Sequence, residues 1–193
     1  MVGVMDSVNT KMTMDFKTAG DIILLIGSSK DDINSSEYLH KILGIENSPA
    51  PYFDLEEEFA LQKAITQLIT DKLINSAHDV SEGGLFITLI ESCFNKNLGF
   101  EINTDASIRK DAYLFGEAQS RVVISITAEN ITAFEAFLKN NNILSEKIGT
   151  VTSGNITVWG EDWGNIVQWK QRYDNAIGNI IAEHDAEHAM SAL

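Results

Sequence analysis

The chain has 193 residues, of which 44% are hydrophobic, and its 28 acidic and 14 basic residues give a net charge of −14. This length and composition predict one sizeable core, with or without an appendage. The acidic balance argues against a nucleic-acid surface, which needs clustered Lys and Arg, and against attraction to anionic lipid. A single cysteine, no apolar stretch of membrane-spanning length and no secretory signal pattern predict a soluble, cytoplasmic protein.

The first predicted elements are two strands and two helices. Apolar alternation over residues 2–8 predicts a short strand without a partner, an open edge that would favour self-association although the net charge opposes it. The continuous apolar run at 21–27 predicts a strand buried on both faces. A short helix is expected at 35–43, and a longer one begins after Asp54, whose side chain suits an N-cap.

The long helix after Asp54 is predicted to be amphipathic. Its expected apolar face has residues three or four apart, namely Leu55, Phe59, Gln62, Ile65, Leu68, Ile69 and Leu73. Three glutamates at 56–58 occupy its first turn, where the helix dipole favours negative charge. We therefore interpret them as helix-start residues rather than as a metal cluster.

The second half of the chain continues the alternation of helices and strands. The predicted elements are a helix from Leu85 to Phe94 with Cys93 as a buried thiol, a strand at 99–104, a helix at 107–115, a strand at 122–127 and a helix at 131–140. Apolar runs at 148–151 and 156–159 flank Ser153-Gly154-Asn155 and predict a hairpin. The chain is predicted to be helical from about Gln168, and the whole alternation indicates an α/β layered domain.

A polar motif, Ser-Ala-His-Asp-Val-Ser-Glu-Gly-Gly-Leu, lies at residues 76–85. The Gly83-Gly84 pair permits unusual backbone angles, and if a helix begins at Leu85 their amides could bind an anion. Asp79 offers the oxygen ligand that Mg²⁺ prefers. The alternative is a tight turn with Ser81 as the N-cap and His78 merely packed.

A second polar motif at residues 115–121 precedes the strand at 122–127. Glu117 can accept hydrogen bonds, and Gln119 can both donate and accept toward an amide. Arg121 could pair with a phosphate or with Glu117, and an ordinary loop remains the alternative.

Near the end of the chain, His184 and His188 share a helix face and could bind zinc, but a solvated acidic face is the preferred interpretation. The tryptophans at 159, 163 and 169 are expected to be core or interface residues.

Together, residues 76–85 and 114–121 resemble the final domain of phosphoribosylformylglycinamidine synthase, the synthetase of purine biosynthesis. Segments 16–21, 36–38 and 54–56 are similar to the same family in the same order, and the resemblance extends to about Tyr173. That family has two similar halves, each an ATP-binding domain followed by a C-terminal domain like that of aminoimidazole ribonucleotide synthetase. The resemblance implies a three-layer α/β/α fold around a mixed sheet. It also implies that residues 1–19 are the closing strand and linker of a preceding ATP-binding domain and that 20–193 are the C-terminal domain.

The resemblance further implies a ligase that converts formylglycinamide ribonucleotide, ATP and glutamine to the amidine, ADP, phosphate and glutamate. ATP activates the amide oxygen, ammonia from a glutaminase subunit displaces the phosphate ester, and Mg²⁺ neutralises the phosphates. The implied partners are the enzyme's own ATP-binding domains and that glutaminase subunit, with no nucleic acid and no membrane. The chain alone is expected to lack synthetase activity.

From the motifs and the resemblance we expect substrate or nucleotide binding by Ser81, Gly83, Gly84, Glu117, Gln119 and Ser120, and metal binding by Asp79. No catalytic residue is assigned, and His78 does not inherit the family's catalytic role. The first-half copy has Glu-Ser-Gln where this chain has Glu117-Ala118-Gln119, so one hydroxyl is missing. A catalytic domain, a structural or nucleotide-holding half, and another ATP-dependent member of the superfamily (aminoimidazole ribonucleotide synthetase or selenophosphate synthetase) therefore stay open.

The two motifs are expected to meet at one edge of the sheet. Residues 75–78 and 122–127 are short apolar segments that we expect to pair as neighbouring strands. Asp79 follows the first strand and Glu117 precedes the second, so antiparallel pairing joins the motifs, whereas parallel pairing would separate them by about 20 Å. Because the family's first-half copy uses both motifs around one ligand, we predict the antiparallel arrangement.

Overall fold

The structure is a computed structural model that describes residues 4–5, 7–103 and 107–191. Its strands are β1 (Ile22–Ile26), β2 (Ser76–Asp79), β3 (Gly99–Ile102), β4 (Val122–Ile126), β5 (Ser145–Thr152), β6 (Asn155–Val158) and β7 (Glu161–Asn165). Its α-helices are α1 (Leu55–Thr70), α2 (Gly84–Cys93), α3 (Lys110–Phe115), α4 (Ile131–Asn141) and α5 (Ile166–Ser191). A π-helical turn covers Tyr38–Ile42, and 3-10 turns cover Val8–Thr10 and Ala128–Asn130. None of the helices in these ranges is both long and apolar enough to cross a membrane.

The strands form one mixed sheet in the order β2-β4-β1-β5-β3-β6-β7. Neighbouring strands are antiparallel except for β3 and β6, which are parallel. Successive side chains of a strand point to opposite faces, so β1 contributes to two cores. Ile23 and Leu25 pack in the core that includes α2, whereas Leu24 and Ile26 pack with residues of α1 and α4. The predicted three-layer α/β/α fold and the doubly buried strand β1 are confirmed.

The strand predicted at residues 2–8 is not found where the structure describes this stretch. Residues 1–3 and 6 lie outside the described residues, Val4 and Met5 have no regular structure, and a 3-10 turn begins at Val8. Val4 is almost fully exposed, so no sheet partner holds this part extended. Phe16, in contrast, is buried in the α2-side core and its amide donates to Ser92 O over 2.8 Å. The domain division at residues 19 and 20 stays a prediction.

The hairpin predicted around Ser153-Gly154-Asn155 is wrong because β3 lies between its two arms. Strand β5 pairs antiparallel with β3, and β6 pairs parallel with the other side of β3. Gly99 begins β3 at the mouth of the turn, where a Cβ would lie only 2.1 Å from Asn155 O. Strand β6 instead forms its hairpin with β7, through the left-handed pair Trp159 and Gly160. Since this pairing is non-local, alternation in the sequence could not predict it.

Helix α1 begins as predicted, and the second half of its predicted apolar stripe faces the core, with Leu68 buried and Ile65 and Ile69 packed against it, whereas the first half does not. The Asp54 carboxylate accepts from the amides of Glu56 and Glu57, both over 2.9 Å, so the N-cap is confirmed. The buried residues are Leu61, Ala64 and Leu68, whereas Leu55 is 70% and Phe59 63% exposed. Residues two apart point to nearly opposite sides of a helix, so burying Leu61 leaves Phe59 in solvent.

Cys93 is buried at the end of α2, as predicted, and desolvation raises the pKa of its thiol well above the ordinary value. Because alkylation requires an exposed thiolate, we expect the folded protein to resist iodoacetamide at pH 8 and to react only in denaturing urea. The label, counted by mass spectrometry against urea concentration, should follow the global unfolding curve. Rapid labelling without urea would contradict the burial of this helix.

Candidate functional site at the β2–β4 edge

A cavity of about 410 Å³ opens where β2 ends and β4 begins. Its walls come from four separate segments of the chain, and the lining residues are Ser35, Pro51, Glu58, Leu61, Asp79, Val80, Ser81, Glu82, Glu117, Gln119, Ser120, Arg121 and Val122. Strands β2 and β4 are antiparallel, with Asp79 opposite Val122, and the Val80 amide donates to Arg121 O over 2.9 Å. The predicted pairing is confirmed, and the two polar motifs lie around one space.

Glu117 connects two of the loops that surround this cavity by hydrogen bonds. Its Oε1 accepts from the Gly83 amide over 2.9 Å and from the Glu37 amide over 2.8 Å. Bonds from amides to a carboxylate are stronger than bonds between neutral groups. The sequence led us to expect an external anion at the N-terminal end of α2. In the structure the carboxylate of Glu117 accepts from the Gly83 amide at this place. The geometry makes Glu117 a positioning residue.

The glycine pair permits the close approach that brings Glu117 to α2. Gly83 (φ 84°) and Gly84 (φ 70°) are both left-handed, and α2 begins at Gly84 without a side-chain cap. The alternative with Ser81 as N-cap is wrong, since it is the Ser81 carbonyl that accepts from the Gly84 amide. A Cβ on Gly84 would lie 2.7 Å from the backbone of Phe115. Only glycine fits here, because the backbone of the second motif occupies the space of a side chain.

Arg121 lies beneath the cavity and is only 2% exposed. Its guanidinium donates to Ala118 O over 3.0 Å and to Gly116 O over 2.6 Å, so it stabilises the loop before β4. Burial lowers the pKa of Arg121 to about 10, against attractions to Tyr113, Asp32 and Glu117 that raise it, and the side chain stays charged at neutral pH. The described hydrogen bonds of Arg121 go to main-chain carbonyls rather than to Glu117, and its pairing with a phosphate stays a prediction.

Four predicted or neighbouring polar residues remain accessible for a ligand. Asp79, Ser81, Glu82 and Gln119 are exposed, and none of the hydrogen bonds described for residues 7–103 and 107–191 uses their side chains. Ser120 differs, since its hydroxyl donates to Glu58 Oε2 over 2.8 Å. Of the predicted binding residues, Gly83, Gly84 and Glu117 build the site, whereas Asp79, Ser81 and Gln119 face it freely.

Two residues of the site were missed in the sequence. Glu58 reaches Ser120 from α1, although its position in the first helical turn indicated only helix-start chemistry. Ser35 lines the cavity in a left-handed conformation (φ 52°), and Ser120 adopts the same one (φ 61°). Such conformations are costly outside glycine and cluster at functional sites. Ser120 was predicted as a binding residue, whereas no local pattern in the sequence marks Ser35 as part of the site.

The cavity is strongly acidic, since Glu58, Asp79, Glu82 and Glu117 line it, and among the described lining residues the only cation is the buried Arg121. This charge favours a cation, or a phosphate bridged by a cation, over a bare anion. No group of three or more His, Cys, Asp or Glu suited to a metal occurs among the described residues. Mg²⁺ needs only one or two carboxylates when phosphates and water complete its shell, and the free Asp79 carboxylate fits that requirement.

The histidines and tryptophans do not take part in this cavity. His78 Nδ1 lies 3.1 Å from both Thr88 O and Ser92 Oγ, and its Nε2 lies 3.6 Å from Glu91, so the packed interpretation is confirmed. Trp163 and Trp169 contact the Phe86 ring at 5.0 and 5.2 Å, and all three tryptophans pack against the α2-side core. His184 is exposed, whereas the side chain of His188 lies outside the described part, so the zinc alternative stays untested.

Fold and site together define an α/β domain whose acidic cavity lies between two loop motifs. Residues 18–160 match the family model described as AIR synthase related protein, C-terminal domain, and the chain belongs to this family. Proteins named phosphoribosylformylglycinamidine synthase subunit PurL are 38% identical over 86% of this chain in Alkaliphilus metalliredigens and 38% identical over 92% in Leuconostoc mesenteroides. The predicted resemblance is confirmed. The chain spans 22% and 24% of the length of these two relatives.

Solved structures show the same fold at low sequence identity. The PurL protein of Thermotoga maritima complexed with FGAR has a TM-score of 0.71 and 13% identity, covering 83% of this chain and 29% of that protein. Thiamine-monophosphate kinase from Stenotrophomonas maltophilia has a TM-score of 0.51 and 18% identity, covering 78% of this chain and 53% of that protein. The fold is therefore shared by enzymes of different names.

Proposed function

We propose that this chain is the C-terminal domain of a PurL-type phosphoribosylformylglycinamidine synthase and that its cavity binds the phosphates of a Mg²⁺-nucleotide. The observation that carries the proposal is the junction of both family motifs around one acidic space, with Asp79 and Gln119 unengaged. The Thermotoga maritima PurL structures with ATP, AMPPCP and ADP support nucleotide binding in such proteins. The complete reaction is the ATP- and glutamine-dependent conversion of formylglycinamide ribonucleotide to its amidine.

In this proposal each residue has a distinct task. Asp79 holds Mg²⁺, which when bound neutralises phosphate charge in an otherwise repulsive acidic cavity. Glu117 keeps the Gly83 turn and the Glu37 loop at the cavity wall through its two amide bonds. The Gln119 amide can donate to one ligand oxygen and accept from an amine. Ser81 and Ser120 add hydroxyl groups at the same rim, the second one oriented by Glu58.

The second candidate function is a domain that holds a nucleotide without turnover. The alanine at position 118, where the first-half copy of the family has a serine, is relevant to this choice. Ala118 is buried and does not line the cavity, so a hydroxyl at this position would face the protein interior. The missing serine therefore removes no direct contact from this cavity. What favours the second candidate is Glu117, whose Oε1 already accepts from two amides of the chain.

The remaining expectations concern partners and surroundings. We propose that the chain acts next to ATP-binding domains and a glutaminase subunit, since a solved Thermotoga maritima assembly is described as PurLQS. A cytoplasmic location follows from the same biosynthetic role. The acidic surface, at a net charge of −14, gives no support for a nucleic-acid partner.

A chimera tests the proposal. In the Leuconostoc mesenteroides PurL subunit, the matching last domain is replaced by this chain, and amidine formation is measured with ATP, Mg²⁺ and ammonia or glutamine. We expect activity from the chimera and none from this chain alone. Asp79→Asn should lower kcat/KM for Mg²⁺-ATP at least about tenfold. Losses of this size are usual even for residues that only hydrogen-bond to a metal ligand, so the loss of a direct ligand should be no smaller. Glu82→Gln, a neighbouring exposed carboxylate on the same cavity, serves as the matched control.

Three outcomes separate the candidates. Loss of activity in Asp79→Asn but not in Glu82→Gln supports a working nucleotide site. Unchanged turnover together with loss of a bound nucleotide in Asp79→Asn supports the nucleotide-holding domain. An Asp79→Asn chimera that turns over and binds nucleotide like its parent would contradict both.

A further inference from the structure

Residues 33–52 form a loop whose two ends are joined by one carboxylate. Asp32 Oδ1 accepts from the Asn34 amide and Asp32 Oδ2 accepts from the Tyr52 amide, both over 2.8 Å. Hydrogen bonds from amides to a carboxylate are stronger than those between neutral groups. The backbone of Asp32 packs against the second polar motif, where a Cβ on Gly116 would lie 2.4 Å from Asp32 O. Asp32 therefore attaches the base of the loop to the domain beside the cavity.

Beyond its base, the 33–52 loop is only weakly attached to the domain. Among the described residues, neither hydrophobic core contains a side chain of this loop, and every residue from 40 to 47 is exposed. The Glu37 amide donates to Glu117, and the Tyr38 ring stacks on a ring of the second motif with centroids 5.0 Å apart. Segments with so few apolar contacts to a core open at a free energy well below that of global unfolding.

Internal hydrogen bonds hold the loop together as a unit. The Ser35 amide donates to Ser48 Oγ over 2.7 Å, and the Ser35 hydroxyl donates to Pro49 O over 2.9 Å. The Ile45 amide donates to Leu39 O over 3.2 Å. The early and late parts of the loop therefore stay together when its contacts with the domain break. Compact surface loops that are tied in this way and have neighbouring ends are frequently functional.

Both ends of the loop contribute to the cavity. Ser35 and Pro51 line it together with Asp79, Ser81 and Gln119 of the two polar motifs. A movement of the whole loop therefore carries two lining residues toward or away from the other three. Loops that close over a ligand exclude water from it and complete the set of groups that contact it.

We propose that residues 33–52 are a lid that opens and closes over the cavity as one unit about Asp32. With the lid closed, as in the structure, the Glu37 amide reaches Glu117 and Ser35 lies at the cavity. Opening breaks the hydrogen bond between Glu37 and Glu117, whereas both hydrogen bonds at Asp32 are kept. Asp32 is a positioning residue, because it acts on the cavity through the loop. Closure over a nucleotide rests on the proposed function, whereas the movement about Asp32 does not.

Hydrogen exchange of the whole chain without ligand, measured by mass spectrometry, tests the movement. We expect the amides of the 33–52 loop to share one level of protection, at least about tenfold below that of β1 and β4. Asp32→Ala should speed exchange of the loop at least about tenfold and leave β1 unchanged. Without the two hydrogen bonds the ends of the open loop gain freedom, and the entropy of one ordered residue corresponds to about this factor. Asp32→Asn keeps one acceptor and should show a smaller increase.

The adjacent Asp31 supplies the matched control. It is exposed, and none of the hydrogen bonds described for residues 7–103 and 107–191 uses its carboxylate, so Asp31→Ala should leave exchange of the loop as it is. Equal effects of Asp31→Ala and Asp32→Ala would overturn the proposal. So would loop amides as protected as those of β1, or an Asp32→Ala increase that is equally large in β1 and β4, since the loop would then open only with the whole domain.

Exchange in the Leuconostoc mesenteroides chimera tests closure over a ligand. Saturating Mg²⁺-ADP should slow exchange of the 33–52 loop at least about tenfold, and Asp79→Asn should abolish this slowing. Nucleotide binding that depends on Asp79 without any slowing would overturn closure of the lid and leave the proposed function standing. Nucleotide binding that does not depend on Asp79 would contradict the proposed function and lid closure over a nucleotide, but not the movement measured without ligand.

Discussion

Gly84→Ala is expected to destabilise the domain by about 3 kcal/mol, since a left-handed alanine is strained and the new methyl group cannot be accommodated. The added Cβ would lie 2.7 Å from Phe115 Cα and 2.8 Å from Gly116 O, which are backbone atoms of a loop fixed by Arg121. Relief would require α2 and the second motif to move apart, which would also break the Gly83–Glu117 bond. Urea unfolding followed by circular dichroism gives the change in free energy.

The control for Gly84 is Gly160, in the turn between β6 and β7. Its φ of 77° nearly equals the 70° of Gly84, but a Cβ at Gly160 would meet nothing within 4 Å. Gly160→Ala therefore carries only the backbone strain, about 1 kcal/mol. If both variants lost the same stability, the close approach between the motifs would contribute nothing and the described site geometry would be wrong.

Glu117→Ala is expected to cost about 2 kcal/mol, because one carboxylate accepts from two amides on different loops. The Gly83 and Glu37 amides lose their acceptor, and the turn before α2 is released from the loop at Ser35. In the chimera, activity should fall as well, since the cavity walls lose their common attachment. Glu117→Gln keeps an oxygen acceptor and should recover part of the stability, which urea unfolding measures.

Gln119→Ala is the comparison that isolates this effect. Gln119 lies two residues away on the same loop, is exposed, and takes part in none of the hydrogen bonds described for the chain. A surface change of this kind usually alters stability by no more than about 0.5 kcal/mol. Equal losses in Glu117→Ala and Gln119→Ala would mean that Glu117 does not hold the loops together.

Local patterns in the sequence determined the elements of this fold. The apolar run at β1, the Asp54 cap of α1 and the Leu85, Leu89 and Cys93 face of α2 are found as predicted. These features depend on interactions within a few residues or on whether apolar side chains face the core or solvent. Both can be predicted from the pattern of a single sequence. The motif resemblance added the antiparallel pairing of β2 and β4, which is confirmed.

Only the tertiary structure decided which elements meet. The insertion of β3 between β5 and β6, and the face that α1 turns to the core, depend on residues far apart in sequence. The same holds for the contact of Glu117 Oε1 with amides of two separate loops, which the sequence did not predict. The ligand contact expected of Glu117 stays a prediction. A hydrogen-bond acceptor takes whichever donor the fold brings within reach, and that choice is made by long-range packing, which no local spacing encodes.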